Sequence, residues 1–420
     1  MTDLINLQGK LEYENLAEHL VNRLEWLGSF AKDPEGGITR LLYSRQWTDT
    51  QQALKRWMEA EGLEVKFDEV GNLSGILKGV NQTETVLTGS HIDTVKNGGL
   101  YDGQFGIAAG ILALIYLKDH YGTPERNLEV VSLAEEEGSR FPYCFWGSKN
   151  MAGCAYKKDV ENLADSNGVI FSDAINEAGF RFRAEPQSPR QDLKVFVEIH
   201  VEQGNVLETE KKSVGIVKCI VGQRRFTIEV KGQANHAGTT PMAYRKDAVY
   251  AASQMIYETL NMAEQYGDPL VATVGRVDIS PNIANVVPGK AAFTLDLRHI
   301  DKNTISHFTD RFIEKIHDIS REHGVETVIE KWLDTDPVPM DPEITELIEK
   351  KCKEKNLSYK VMHSGAGHDA QIFAASIPAA MLFVPSEKGI SHNPGEYTAP
   401  ADLAEGVKAL ISTLYELAYK

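Results

Sequence analysis

Cysteine is scarce in this sequence. Its 420 residues hold four, Cys144, Cys154, Cys219 and Cys352, with no CxxC spacing. Neither a disulfide framework nor a cysteine-based zinc site is therefore expected. Buried or half-buried thiols in a reducing cytoplasm are the plainest expectation. No apolar run is long enough to span a bilayer, so no membrane helix is expected. The opening MTDLINLQGKLEYEN has no basic segment followed by an apolar one, and no signal peptide is read there. Positive charge is in deficit: 44 Lys and Arg face 60 Asp and Glu, a net charge of −16. There is no basic block and no interleaving of basic and aromatic residues. Nucleic acid is a poor partner for such a chain, because a binder must replace phosphate counterions with clustered cations. No GxSxG is present, so a serine hydrolase of the nucleophile-elbow type has no anchor. Internal repeats and low-complexity tracts are lacking too.

What is present is an ordinary globular composition, 42% hydrophobic and 25% charged, over a length that suits two or three domains. Leu16, Leu20, Leu24 and Leu27 recur at helical spacing. Three apolar runs, TVLTGSH, LEVVSLA and KVFVEIHV, read as strands, and GIAAGILALIYLKDHYG between the first two reads as a buried helix. Strand, helix, strand at this spacing predicts parallel neighbours in an α/β sheet. Near residue 212 the pattern changes. SVGIVKCIVG, RRFTIEVKG, LVATVGRVDI, KAAFTLDLRHI and VETVIEKWL read as strands, with two long helices among them. The prolines of DTDPVPMDPE then mark a return to the first domain. The expected fold is α/β, a mixed sheet with flanking helices over 1–211 and 333–420, interrupted by a smaller α+β unit over 212–332.

Three predicted strands run into metal-ligand chemistry. The stretch HIDTVKNGGLYDG supplies His91, Asp93 and Asp102; VVSLAEEEGSRF supplies Glu135, Glu136 and Glu137; VFVEIHVEQG supplies His200. A fourth candidate, His392, lies in GISHNPGE. Such groups gather beyond the carboxyl ends of strands in α/β sheets. Histidine and carboxylate together suit zinc, manganese or a similar ion. There are more of them than one ion needs, which points to two ions sharing a carboxylate and to a bound water of lowered pKa. A neighbouring carboxylate that is not a ligand can then relay a proton to a leaving nitrogen. Asp93 can accept the His91 imidazole N–H and fix its tautomer.

A rival chemistry sits in GAGHDA (Gly365 to Ala370), which fits GxGxxA between a strand and a helix, with Glu387 some twenty residues on. It would make the chain a nicotinamide-dependent oxidoreductase. The helix that follows is short before Pro378, and Asp369 would lie near the phosphates, so a glycine loop lining a metal cleft is preferred. In the inserted unit Arg225, His236, Asn285 and Arg298 form a second cluster. Cationic and amide groups of this kind suit an anionic substrate with carbonyl groups.

The motifs GSHIDTV, YDGQFG, AEEEGSRFPYCFWGSKN, VEIHVEQG, NHAGTTP and SGAGHDA together resemble the two-metal amidohydrolases of the aminoacylase/carboxypeptidase type. Within them the chain is similar to the carbamoyl-hydrolysing branch: N-carbamoyl-L-amino acid hydrolases, β-ureidopropionases and allantoate amidohydrolases. GITRLLYS, VGQRRF and MHSGAGHDAQIF are most similar to the allantoate-hydrolysing members. The resemblance implies His91, Asp102, Glu137, His200 and His392 as ligands of two divalent ions, zinc or manganese, with cobalt or nickel possible. Asp102 would bridge them, Glu136 would act as base and acid, and Asp93 would orient His91. It further implies a lid and dimerisation unit whose His236, Asn285 and Arg298 hold the substrate, often across a homodimer. Arg225 becomes the candidate for selecting allantoate, and Gln203 a weaker substrate contact. Tyr101 departs from the Asn or Leu expected before Asp102.

Overall fold

The structure, a computed structural model, describes residues 11–185 and 188–420. The first ten residues, on which much of the signal-peptide reading rests, lie outside them. The chain divides into two compact units, 1–218 with 339–420, and 219–338. In chain order the strands are β1 (Glu64–Phe67), β2 (Leu73–Leu77), β3 (Asn81–His91), β4 (Arg126–Leu133), β5 (Leu193–Val201), β6 (Val214–Ile220), β7 (Gly222–Lys231), β8 (Asn235–His236), β9 (Val271–Thr273), β10 (Val277–Ser280), β11 (Val286–Val287), β12 (Lys290–His299), β13 (Glu326–Thr335), β14 (Val338–Pro339), β15 (Tyr359–Ser364) and β16 (Ala379–Val384).

The larger unit is built on a mixed sheet ordered β1-β2-β4-β3-β5-β16-β6-β14, with β15 on β6. Its centre, β4-β3-β5-β16, is parallel throughout. Those four strands are buried along most of their length, as parallel strands covered on both faces must be. The helix Gln104–Tyr121 explains the crossover from β3 to β4. Every residue from Gln104 to Leu117 is buried, the mark of a helix apolar all round. The helix Leu16–Gly28 shows the opposite logic: Leu16, Leu20, Leu24 and Leu27 are fully buried on one face. From β4 the chain crosses over β3 to form β5. The order therefore reverses at β3, the kind of switch point where α/β sheets open a crevice at the carboxyl ends of their strands.

The smaller unit has a sheet ordered β10-β12-β7-β13, with β9 on β12. Phe226, Ile228 and Val230 of β7 and Phe293, Leu295 and Leu297 of β12 share one core with the helices Ala248–Tyr266 and Lys302–His323. Asp247 and Asp301 cap those helices by accepting backbone N–H groups.

Three expectations are corrected. SVGIVKCIVG forms a strand, but it pairs with β16 in the large sheet instead of opening the inserted unit. LVATVGRVDI is two short strands, broken at 274–276. Cys144 and Cys154 are exposed, while Cys219 and Cys352 are buried, and all four are free. No helix among the described residues is long and apolar enough to cross a membrane.

Candidate metal centre

β3 ends at His91, β4 just before Glu135, and β5 one residue past His200. Their carboxyl ends therefore deliver three of the predicted groups side by side. Asp102 joins them from the glycine loop after β3, and His392 from the loop after β16. The Asp102 carboxylate is 5% exposed and forms the centre. Its Oδ1 lies 3.2 Å from His200 Nε2 and 3.5 Å from His91 Nε2. Its Oδ2 lies 3.2 Å from His392 Nε2, which is 3.5 Å from Glu137 Oε1. One oxygen thus faces one histidine pair and the other faces a histidine and a glutamate. Among the described residues, three groups could hold an ion: His91, Asp102 and His200; Asp102, Glu137 and His392; and His91, Glu136 and Glu137.

The donor set fits divalent cations. His200 Nδ1 donates to the Val201 carbonyl (2.9 Å), and the Gly103 N–H donates to Nε2 (3.1 Å). Nε2 is therefore an acceptor, yet it faces a carboxylate oxygen. Two electron-rich atoms so placed call for a cation between them, and the fixed tautomer is the one a metal ligand needs. His91 Nδ1 lies 3.1 Å from the Asp93 backbone carbonyl and 3.5 Å from its carboxylate Oδ1. The ring is thus oriented chiefly by the Asp93 main chain, which refines the role expected for that residue. The carboxylate has another task. It accepts the Glu136 N–H at 3.1 Å and the Glu137 N–H at 3.0 Å, and so holds the turn that carries both glutamates.

Burial and crowding perturb these acids. Burial, with Asp102 nearby, pushes the Glu137 carboxyl up to about 7. Burial, reinforced by Glu137, Asp369 and Asp93, holds Glu136 well above the carboxylate range against the pull of His91. A buried acid with a raised pKa is the form suited to carrying a proton near neutrality. Asp102 moves the other way. Burial would raise it, but the rings of His200, His392 and His91 that face its two oxygens hold it well below its usual value. The bond to Asp102 pushes His392 up to about 9.

The glycines of HIDTVKNGGLYDG follow from this geometry. Gly103 has φ +66°, and a methyl group there would overlap the His91 ring. Gln203, the weaker candidate for a substrate contact, donates to Asp102 Oδ2 (3.0 Å) and Ser391 Oγ (3.1 Å). Arg40, Glu396 and Glu198 were not foreseen as parts of the centre. Fully buried Arg40 donates to the Ile92 carbonyl (2.9 Å) and Gln104 Oε1 (3.0 Å), behind Asp93. Glu396 lies in the same Pro/Gly loop as His392, which was the available signal. GAGHDA packs against the centre as well: the His368 ring lies 4.7 Å from that of His200, and Ser148 donates to buried Asp369 at 2.6 Å. Its helix, Ala370–Phe373, has four residues, too short to cradle a pyrophosphate. That geometry removes the dinucleotide reading.

The smaller unit carries the second predicted cluster. Asp296 of β12 stands opposite Arg225 of β7. Its carboxylate takes the Arg225 Nε (2.7 Å) and the Arg298 Nε (2.8 Å), which brings the two guanidinium groups together. Arg225 also lies over the exposed Trp332 ring, 5.6 Å from its centre. His236 sits on β8, paired with β11, and the Ala237 N–H donates to the Asn285 carbonyl (3.0 Å). His236 Nδ1 accepts the N–H groups of Gly238 (3.0 Å) and Thr239 (3.2 Å). Its proton is therefore on Nε2, turned out as a donor.

Residues 87–416 match the profile described as Peptidase family M20/M25/M40. The chain is 53% identical over 398 residues to the allantoate amidohydrolase of Escherichia coli, covering 94% of this chain and 97% of that one. It is 44% identical over 401 residues to the allantoate amidohydrolase of Bacillus subtilis, covering 95% and 97%. A crystal structure of an amidase of the hydantoinase/carbamoylase family from Burkholderia multivorans superposes with a TM-score of 0.91 at 31% identity, over 96% of this chain and 98% of that one.

Proposed function

Since the chain belongs to peptidase family M20/M25/M40, we propose that it hydrolyses allantoate at a ureido C–N bond. The products are ureidoglycine, ammonia and carbon dioxide, a step in recovering purine nitrogen. The observation that carries the reaction type is the convergence of three histidine Nε2 atoms on the two oxygens of Asp102. The choice of substrate is supported by the two allantoate amidohydrolases the chain resembles over nearly its full length.

His91, Asp102, Glu137, His200 and His392 would hold two divalent cations, zinc or manganese, between them. Bound there, the ions supply a Lewis acid and lower the pKa of water. The chain's own groups do the rest. Glu136, kept basic enough by burial, accepts the proton of the attacking water and returns it to the leaving nitrogen. Asp93 fixes Glu136 and Glu137 through their backbone N–H groups. In the inserted unit Arg298 takes the substrate carboxylate by a two-pronged bond. The His236 Nε2–H and the Asn285 amide donate to the oxyanion. Arg225, stacked on Trp332, selects the second ureido group of allantoate. Gln203 acts through Asp102, and its contact with substrate is secondary. The inserted unit serves as lid and as the seat of a homodimer, a role supported by exposed Val277, Ile279 and Ile283. Four free cysteines support a reducing, cytoplasmic setting.

The test is ammonia release from allantoate, N-carbamoyl-L-amino acids and N-carbamoyl-β-alanine by chelator-stripped protein reloaded with manganese or zinc. Metal-dependent release from allantoate alone is expected. Release from a carbamoyl amino acid instead would keep the mechanism but remove Arg225 from its role. No release from any of them would refute the proposal.

A further inference from the structure

Glu396 lies four residues beyond His392 and is 5% exposed. Its Oε1 accepts the N–H groups of Tyr101 (2.8 Å) and Asp102 (2.9 Å), from a loop 295 and 294 residues earlier in the chain. Its Oε2 is buried and has no hydrogen-bond partner among the described residues. That oxygen faces Gly99, where a methyl group would overlap Oε2, the carboxyl carbon and Cβ of Glu396. The second glycine of NGG is therefore small because Glu396 fills the place of a side chain. Burying a carboxylate is unfavourable unless its oxygens are used, and here one oxygen serves the peptide from which Asp102 projects. The loop that carries Glu396 also carries His392, in a left-handed backbone conformation (φ 53°), with Nε2 3.2 Å from Asp102 Oδ2. Glu396 thus joins two distant segments, each bearing one member of the Asp102–Glu137–His392 group.

We propose that Glu396 is a positioning residue that sets the separation of Asp102 and His392, and with it the grip on one of the two ions. This rests on the reading of Asp102, Glu137 and His392 as metal ligands. The action is that of a hydrogen-bond clamp on the backbone, and the negative charge is incidental to it. Glutamine at this position keeps an acceptor oxygen for both N–H groups, whereas alanine keeps none. Gly99→Ala perturbs the same clamp from the other side, because its methyl group must push the carboxylate away.

The test titrates chelator-stripped wild type, Glu396→Ala, Glu396→Gln and Gly99→Ala with Mn2+ or Zn2+ alone, in competition with a chromophoric chelator. It reads the number and affinity of bound ions, with circular dichroism to confirm folding. Glu396→Ala and Gly99→Ala are expected to keep one ion and to weaken the other about 10- to 100-fold, the usual scale for losing a group that orients a ligand. Glu396→Gln is expected to stay within about threefold of wild type, since its orienting bonds survive. If Glu396→Ala does not fold, the Glu396→Gln and Gly99→Ala pair decides the matter. Two ions at wild-type affinity in Gly99→Ala or Glu396→Ala would overturn the inference. So would a glutamine variant with the deficit expected of the alanine one, because charge and not the clamp would then be acting. A wild type that takes up no ion would instead overturn the metal-site reading.

Discussion

Asp93→Asn isolates the charge of one buried group from its shape. The Asp93 carboxylate is 1% exposed. Its Oδ2 lies 3.1 Å from the Glu136 nitrogen and 3.0 Å from the Glu137 nitrogen, and its Oδ1 is also 3.1 Å from that of Glu136. An asparagine oxygen in the Oδ2 place would keep both backbone bonds. The amide nitrogen would then face the Glu136 N–H, donor against donor. Setting that donor against a buried N–H costs about 1–3 kcal/mol, the scale of a buried polar group left without its partner, so about 2 kcal/mol in all. At 1.4 kcal/mol per tenfold, that is about 30-fold in the population of the turn that presents Glu136 and Glu137. The expected result is metal affinity lower by about that factor at the ion held through Glu137, with kcat reduced because Glu136 is no longer fixed. His91 should be affected less, since its ring leans on the Asp93 carbonyl, which asparagine retains. The assay is chelator-competition titration of the stripped variant, followed by ammonia release at saturating metal. Affinity within threefold of wild type together with unchanged kcat would refute the assignment of Asp93 as the organiser of this turn.

Glu136→Gln should bind both ions yet lose about 10²- to 10⁴-fold in kcat, the usual contribution of a proton-relaying group; loss of an ion, measured by elemental analysis, would mean that Glu136 and Glu137 exchange roles. Arg190→Gln tests stability away from the centre, where Arg190 grips the fully buried Glu129 at 2.6 and 2.9 Å. Burial would raise the neighbouring Asp192 carboxyl, but hydrogen bonds from Arg190 and Thr85 hold it below the usual value. A lowered folded-state pKa contributes stability above about pH 4 that is lost as pH falls through the folded value. The variant should therefore be about 3–5 kcal/mol less stable at pH 7, and the gap should narrow below pH 4. Chemical denaturation across that range checks it, and a gap that widens in acid would contradict the sign.

How far the sequence carried the structure depended on the range of the interaction. The helix Gln104–Tyr121 and its flanking strands were legible because an apolar run with no polar face can only be buried. His91, Glu136, Glu137 and His200 were legible because each closely follows or ends a strand whose burial is written in its own residues. Glu396 and Arg40 were not. Their partners, at 101–102 for one and 92 and 104 for the other, are set by the sheet order and leave no local trace. The same holds for Val214–Ile220, whose apolar pattern would suit either sheet; only pairing with β16 decides. For Asp93 the neighbour His91 was legible and the Glu136 and Glu137 N–H groups were not, because i and i+2 on one side of a strand says nothing of the turn after β4.

Four buried acids around the centre share one device, and it bears on what the centre can hold. Asp93 accepts the Glu136 and Glu137 N–H groups, Glu396 those of Tyr101 and Asp102, Glu135 that of Gly138, and Glu198 that of Ala370. So many carboxylates packed together repel one another and resist leaving water. The charge is met largely by peptide dipoles from the loops that carry the ligands. The buried cation near them, Arg40, stands behind Asp93 and spends its donors on carbonyls and an amide. Had lysine or arginine side chains met that charge, they would occupy the space between Asp102 and the histidines. Backbone donors satisfy each acid from its outer side and leave the inner oxygens facing three Nε2 atoms. A divalent cation is the group whose charge and size suit that space. The bonds that offset the cost of burial are thus the same ones that aim the ligands, so a change at any supporting acid should show first in metal affinity and only later in stability.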